Sequence, residues 1–188
     1  NSDSFQQISE NEIYKMIHKK SSSIVKWILI ISILEISFWT FSNLFINTDD
    51  VLRKINHPEI VMALEFLTYF NYVVVLIFVY IFYKNYKTIS TTVATKSLMS
   101  AILKTRKTVQ YYVWYNLGMI VITAILSFFI AFVYNPDMEF LREKLALNGR
   151  AMFVTIGILF LVILGFFGLF WCFYRVIYGT LLRRLYTN

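Results

Sequence analysis

Four long apolar blocks govern what this chain can become. They run over about residues 24–46, 60–83, 113–134 and 151–174. Each supplies the roughly 20 mainly apolar residues that a helix needs to cross about 30 Å of hydrocarbon. Lipid offers no partner to backbone amides and carbonyls, so such blocks are expected to span as helices. Hydrophobic residues make up 58% of the chain, against about 45–50% in soluble domains, and this concentrated excess excludes a water-soluble globule. The fold class that follows is an all-α membrane protein, with four transmembrane helices in an up-down-up-down bundle forming one domain. Trp27, Tyr83, Trp114, Tyr134, Trp171 and Tyr174 sit at the block ends, where amphipathic rings favour the headgroup layer. The first block is too long and too aromatic for a signal-peptide core, and no small-residue cleavage site follows it. It is therefore expected to remain in the protein, and since the chain opens on Asn1 rather than Met, a short leader or tag is expected to precede it.

Cation placement orients the bundle. Lys15, Lys19, Lys20 and Lys26 precede or open the first span. Lys84, Lys87, Lys96, Lys104, Arg106 and Lys107 fill the middle connection, and Arg175, Arg183 and Arg184 follow the last span. The other side holds only Arg53, Lys54, Arg142, Lys144 and Arg150. By the positive-inside rule both termini and the middle connection are cytoplasmic. Segments 1–23, 84–112 and 175–188 are then inside, and 47–59 and 135–150 outside. The net charge of +7 reflects this topology rather than a nucleic-acid footprint, and no nucleic-acid partner is expected.

The segments outside the spans carry helix signals of their own. Ser9 and Glu12 have the spacing of a capping box, with Ile8 and Ile13 at the staple positions. Ile13, Met16, Ile17 and Ile24 recur at helical spacing opposite Lys15 and Lys19. This predicts a short amphipathic cytoplasmic helix that leads through Ser21, Ser22 and Ser23 into the first span. The middle connection holds no Pro or Gly, and no Asp or Glu occurs from residue 66 to 136. A basic cytoplasmic helical hairpin turning near residues 88–95 is predicted, able to attract anionic lipid headgroups or an acidic protein surface. Outside, Pro58 is expected to open the second span, with Asp49 and Asp50 favouring a helix start before it. Asn135 and Pro136 begin a short helix that Asn148 and Gly149 end, with Phe140, Leu141 and Leu145 towards the membrane.

Two acids, Glu35 and Glu65, fall within spans. A carboxyl in hydrocarbon should face protein or water. Ser32 lies one turn before Glu35 on the same helical face, and on the second span Thr68 and Asn71 lie deeper than Glu65. A candidate intramembrane polar site of Glu35, Ser32, Glu65, Thr68 and Asn71 follows, serving as a relay, as a recognition site, or as hydrogen bonding between neutral acids. Small residues make a second pattern: Gly157, Gly165 and Gly168 on the fourth span, and Thr123 and Ser127 on the third. These form a candidate helix-packing face, within the bundle or between copies.

Catalytic and cofactor signatures are missing. His18 and His57 fall on opposite sides of the membrane, and Cys172 is alone, so no metal, cofactor or catalytic residue is assigned. No His-Glu-x-x-His, Gly-rich phosphate loop or Gly-x-Ser-x-Gly elbow occurs, and an enzyme is not expected.

The stretch from Glu12 through Lys15, His18, Lys20, Ser23 and Lys26 to Ile28, followed by the Glu35 span, resembles short four-span inner-membrane proteins of Bacteroidota. Some members of that family carry a carotene-oxygenase label. Such oxygenases resemble β-propellers with a four-histidine iron site, which two histidines cannot supply. The resemblance implies a bacterial inner membrane and no activity.

The function expected from these features is a non-enzymatic inner-membrane subunit or adaptor engaging a membrane or cytoplasmic partner, or a second copy of itself. A small oligomeric transporter or channel using Glu35 and Glu65 is the first alternative. A membrane-tethered regulator that sequesters a cytoplasmic factor is the second. A water-filled cavity reaching Glu35 would favour transport, and a dry core with an exposed apolar groove would favour the adaptor.

Overall fold

The computed structural model describes residues 9–45, 57–92 and 95–186. Among them are helices α1 (Glu10–Phe45), α2 (Pro58–Thr91), α3 (Thr95–Tyr134), α4 (Glu139–Leu147) and α5 (Gly149–Tyr186), with a 3-10 turn at Pro136–Met138 before α4. The four long helices hold 34 to 40 residues, about 51–60 Å at 1.5 Å per residue. All four are long and apolar enough to cross a membrane, so the chain reads as a multi-pass membrane protein. They overshoot a hydrocarbon layer of about 30 Å by about 20–30 Å.

Local signals set the helix ends. Ser9 accepts the Glu12 amide at 3.3 Å while the Glu12 carboxylate accepts the Ser9 amide at 3.1 Å, the reciprocal cap expected. Ile8 lies outside the described residues, as do Asp49 and Asp50. Pro58 opens α2 as its first residue. The hairpin turns between Thr91 and Thr95, within the stretch expected. Asn135 caps the 3-10 turn by accepting the Asp137 amide at 3.0 Å. Asn148 ends α4 and at once caps α5, accepting the Ala151 amide at 3.2 Å. The last turn of α3 is closed by Arg142, whose guanidinium donates to the carbonyls of Phe132 at 2.8 Å and Val133 at 2.7 Å. A cation is favoured there because carbonyls at a helix C-terminus lack amide partners and carry partial negative charge.

Two expectations change. The amphipathic N-terminal segment is not a separate helix: α1 runs unbroken through Ser21, Ser22 and Ser23. Ile24, Val25 and Ile28 are buried there, and their packing overrides the weak helix preference of serine. Leu145 turns into the protein while Phe140 and Leu141 stay exposed.

The bundle is up-down. α1 packs on α2, α2 on α3, α3 on α5 and α5 back on α1. The Tyr14 hydroxyl donates to the Thr92 carbonyl and joins the start of α1 to the end of α2. Along α1 and α5, Ser32 meets Tyr178, Glu35 meets Tyr174 and Trp39 meets Phe170. We call the pole holding the hairpin turn the basic end, and the pole holding α4 the far end.

Packing is sharply uneven along the axis. The buried residues of α1 run from Ser21 to Ser32, those of α2 from Val75 to Ile89, and those of α3 from Leu98 to Leu117. On α5 they are Tyr174 and Tyr178. Among the described residues none of these lies in the third of its helix nearest the far end. Towards the far end no long helix contributes a buried side chain among the described residues, and Phe41, Phe66, Phe129, Phe153 and Phe160 are exposed.

The same register staggers the apolar blocks. Glu35, at the middle of the first block, meets Tyr174 at the end of the fourth. Asn71, at the middle of the second, meets Tyr115 near the start of the third. The blocks of α1 and α2 are thus displaced from those of α3 and α5 by half a span, about 16 Å.

Candidate functional site

Glu35 sits where the packed half of the bundle ends. A half-buried carboxylate there needs donors, and among the described residues no Lys or Arg pairs with it. Tyrosine hydroxyls supply them. Tyr112 of α3 donates to Oε2 at 2.7 Å, Tyr174 of α5 donates to Oε1, and Tyr178 of α5 donates to Oε2 at 3.4 Å. The three tyrosines are 0%, 3% and 1% exposed, so their hydroxyls have no access to bulk water. Ser32, one turn before Glu35, donates to the Ile28 carbonyl at 2.9 Å and lies 3.3 Å from the Tyr178 hydroxyl. One carboxylate therefore fastens three helices together.

The rings are fixed by their neighbours. Tyr112 lies edge-on to Phe78 and Phe82 of α2, with centroids 5.4 and 5.5 Å away, and to Tyr178 at 5.9 Å. Tyr174 stacks on Tyr178 at 5.9 Å, as a spacing of four residues on one helix allows. These contacts hold the hydroxyls towards Glu35. Both carboxylate oxygens are engaged by hydroxyls, and among the described residues no group of three His, Cys, Asp or Glu side chains comes together to hold a metal.

The sequence-derived polar group divides in this structure. Ser32 joins Glu35. Asn71 accepts a hydrogen bond from Tyr115 at 3.0 Å. Thr68 donates to the Leu64 carbonyl of its own helix at 2.9 Å, and Glu65 is exposed on the outside of α2. Glu65 and Thr68 lie on turns of α2 beyond the reach of the tyrosine cluster, because the bundle has opened at their level. Tyr112, Tyr174 and Tyr178 escaped the sequence reading, in which Tyr174 counted only as an interfacial ring. The usable signal was the Tyr174–Tyr178 pair on one helical face, opposite a carboxyl that lacks any cation.

Other candidates fall on the surface. Gly157, Gly165 and Gly168 are exposed, and a Cβ added at any of them would meet nothing within 4 Å. Thr123 and Ser127 are exposed too. Among the described residues this small-residue face therefore serves no close approach between helices. Lys84, Lys87, Lys96, Lys104 and Lys107 are exposed and Arg106 is half-buried, which gives the basic end a cationic surface.

One family model, described as a domain of unknown function (DUF8845), matches residues 11–188. The chain belongs to that family. The match includes α1 from its second residue, so Glu35 and its three tyrosines all fall within the family domain. No curated protein matches the chain, and no solved structure matches it.

Proposed function

We propose that this member of the DUF8845 family is a non-enzymatic membrane subunit or adaptor. It sits in a bacterial inner membrane with both termini cytoplasmic and completes its open far half against another membrane-embedded protein or a second copy. The observation that carries this reading is the uneven packing. A closed core at the basic end gives way, beyond Glu35, to helices whose large apolar side chains are exposed and whose small-residue face meets no neighbour among the described residues. Small residues exposed on a membrane helix favour a close-packed neighbour, since apolar side chains alone gain nothing over lipid. Support for the compartment comes from the cation distribution and from the resemblance to four-span proteins of Bacteroidota. The Glu35 cluster acts in this reading as the clasp that holds α1, α3 and α5 together beneath the open half.

The test is photocrosslinking in intact membranes from benzoylphenylalanine placed at Phe129 or Phe160, which are exposed, and at Phe82, which is buried. A discrete protein adduct from the first two positions and none from the third is expected. Lipid adducts alone, with a native mass equal to one 22.3 kDa chain, would remove the proposal.

A transporter reading keeps one favourable observation, the linked hydroxyl chain from Ser32 through Tyr178 to Glu35. It requires protons or cations to reach Glu35 from the far end. Proton flux into liposomes reconstituted with the protein, abolished by Glu35→Gln, would establish it in place of the adaptor.

A further inference from the structure

A groove of about 130 Å³ lies between α3 and α5, lined in part by Tyr174 and Tyr178, the α5 tyrosines that donate to Glu35. Gln110 and Trp114 line it from α3, and Trp171, Arg175 and Gly179 from α5. Its layout is amphipathic. Trp114 and Trp171 stand towards the apolar blocks of their helices, while Gln110, Arg175 and Gly179 stand towards the basic end. The apolar block of α3 begins at residue 113 and that of α5 ends at 174, so the groove lies at the boundary of both blocks. Indole rings favour the headgroup layer.

The two helices that wall the groove carry charge of one sign, and Glu35 of α1 lies against Tyr174 and Tyr178, which also line it. Neither α3 nor α5 contains a single Asp or Glu. The Arg175 guanidinium is stacked over the Trp171 ring, 4.8 Å from its centroid. One turn nearer the basic end, Lys107 lies on the same side of α3 as Gln110 and Trp114, and Arg183 follows Gly179 on α5. Gly179 keeps the floor low: a Cβ there would meet only the Arg175 Cγ, at 3.7 Å.

We propose that this groove binds one anionic phospholipid, with the phosphate against Arg175 and Gln110 and an acyl chain between Trp114 and Trp171. The cations on the two wall helices select the headgroup, with the Glu35 carboxyl already bound by tyrosine hydroxyls, and the paired indoles with the adjoining apolar blocks select a lipid over a soluble anion. Because Tyr174 and Tyr178 form the wall shared with Glu35, the lipid would brace the clasp from outside. The site is independent of whether a protein covers the far half of the bundle.

The test uses the full chain in nanodiscs, with Trp27→Phe and Trp39→Phe introduced so that only Trp114 and Trp171 of the four tryptophans remain. Quenching by brominated phosphatidylglycerol is compared with quenching by brominated phosphatidylcholine. A preference for the anionic lipid of about fivefold for each engaged cation is expected, from about 1 kcal/mol per Lys or Arg at a charged surface. Arg175→Gln should lower that preference about fivefold. Gly179→Leu, which fills the groove and leaves every charge in place, should abolish it, and Lys15→Gln should leave it unchanged. Lipid adducts in native mass spectrometry of the unaltered chain give a second reading that needs no tryptophan changes. Equal quenching by the two lipids would overturn the assignment, as would a preference that survives both groove variants. Loss of the preference in millimolar inorganic phosphate would also overturn it, by marking a soluble-anion site.

Discussion

Removing the Glu35 carboxyl should weaken the fold more than removing any one of its donors. In Glu35→Leu the hydroxyls of Tyr112 and Tyr174 lose the acceptor the structure gives them, while Tyr178 keeps Ser32 at 3.3 Å. A buried hydroxyl left unsatisfied costs about 1–3 kcal/mol, so two of them set an upper range of about 2–6 kcal/mol. Hydrogen bonds within membranes average only about 0.6 kcal/mol, because the unfolded chain in lipid also finds partners. The expected loss therefore falls near the lower end, at about 2 kcal/mol. Glu35→Gln keeps one carbonyl acceptor and should cost about half as much. The decisive variant combines Glu35→Leu with Tyr112→Phe and Tyr174→Phe. Replacing a hydrogen-bonded group and its partners together with apolar groups of similar shape is close to neutral, so the triple variant should recover most of the loss. Equilibrium unfolding by sodium dodecyl sulfate in mixed micelles, followed by tryptophan fluorescence, reads each value. A loss below about 0.5 kcal/mol for Glu35→Leu, or a triple variant no more stable than the single one, would refute the clasp.

Further outcomes follow from other contacts. Arg142→Ala frees the carbonyls of Phe132 and Val133 and should cost about 1–2 kcal/mol, with faster hydrogen exchange confined to the junction of α3 and the following turn. Ser21 and Asn85 each bury a polar atom with no hydrogen-bond partner among the described residues. Ser21→Ala should thus be neutral or stabilising by up to about 1 kcal/mol in the same unfolding assay. Gly165→Leu enters open space and should leave the melting temperature of the isolated chain unchanged, while reducing the crosslinks from Phe129 and Phe160 in membranes. Ser9→Ala removes one half of a capping pair and should cost about 1 kcal/mol, read as faster exchange in the first turn of α1.

Much of the fold was legible because hydrocarbon leaves a chain few choices. Block length and the Pro58 and Asn135 signals located the long helices and most of their ends. The continuity of α1 was not legible, since three serines in a row resemble a break until the packing of Ile24, Val25 and Ile28 is known. Glu35 stood out by its chemistry alone. Its partners did not, because the stagger between helix pairs is a tertiary quantity: blocks aligned by their centres would place Tyr174 at the membrane edge and Glu35 well above it. Asn71 found a tyrosine of its own, and Glu65 was left outside by the opening of the bundle, which no local pattern encodes.

The half-span offset between the two helix pairs bears on the lipid around the protein as well as on the chain. A flat sheet of uniform thickness cannot match both pairs at once. Either the bundle leans or the surrounding leaflets bend, thinner on one flank and displaced on the other, at a cost of fractions of a kcal/mol for each ångström of mismatch. A second inclusion that fits the same dent would share that elastic cost, so two such bodies would be drawn together before they touch.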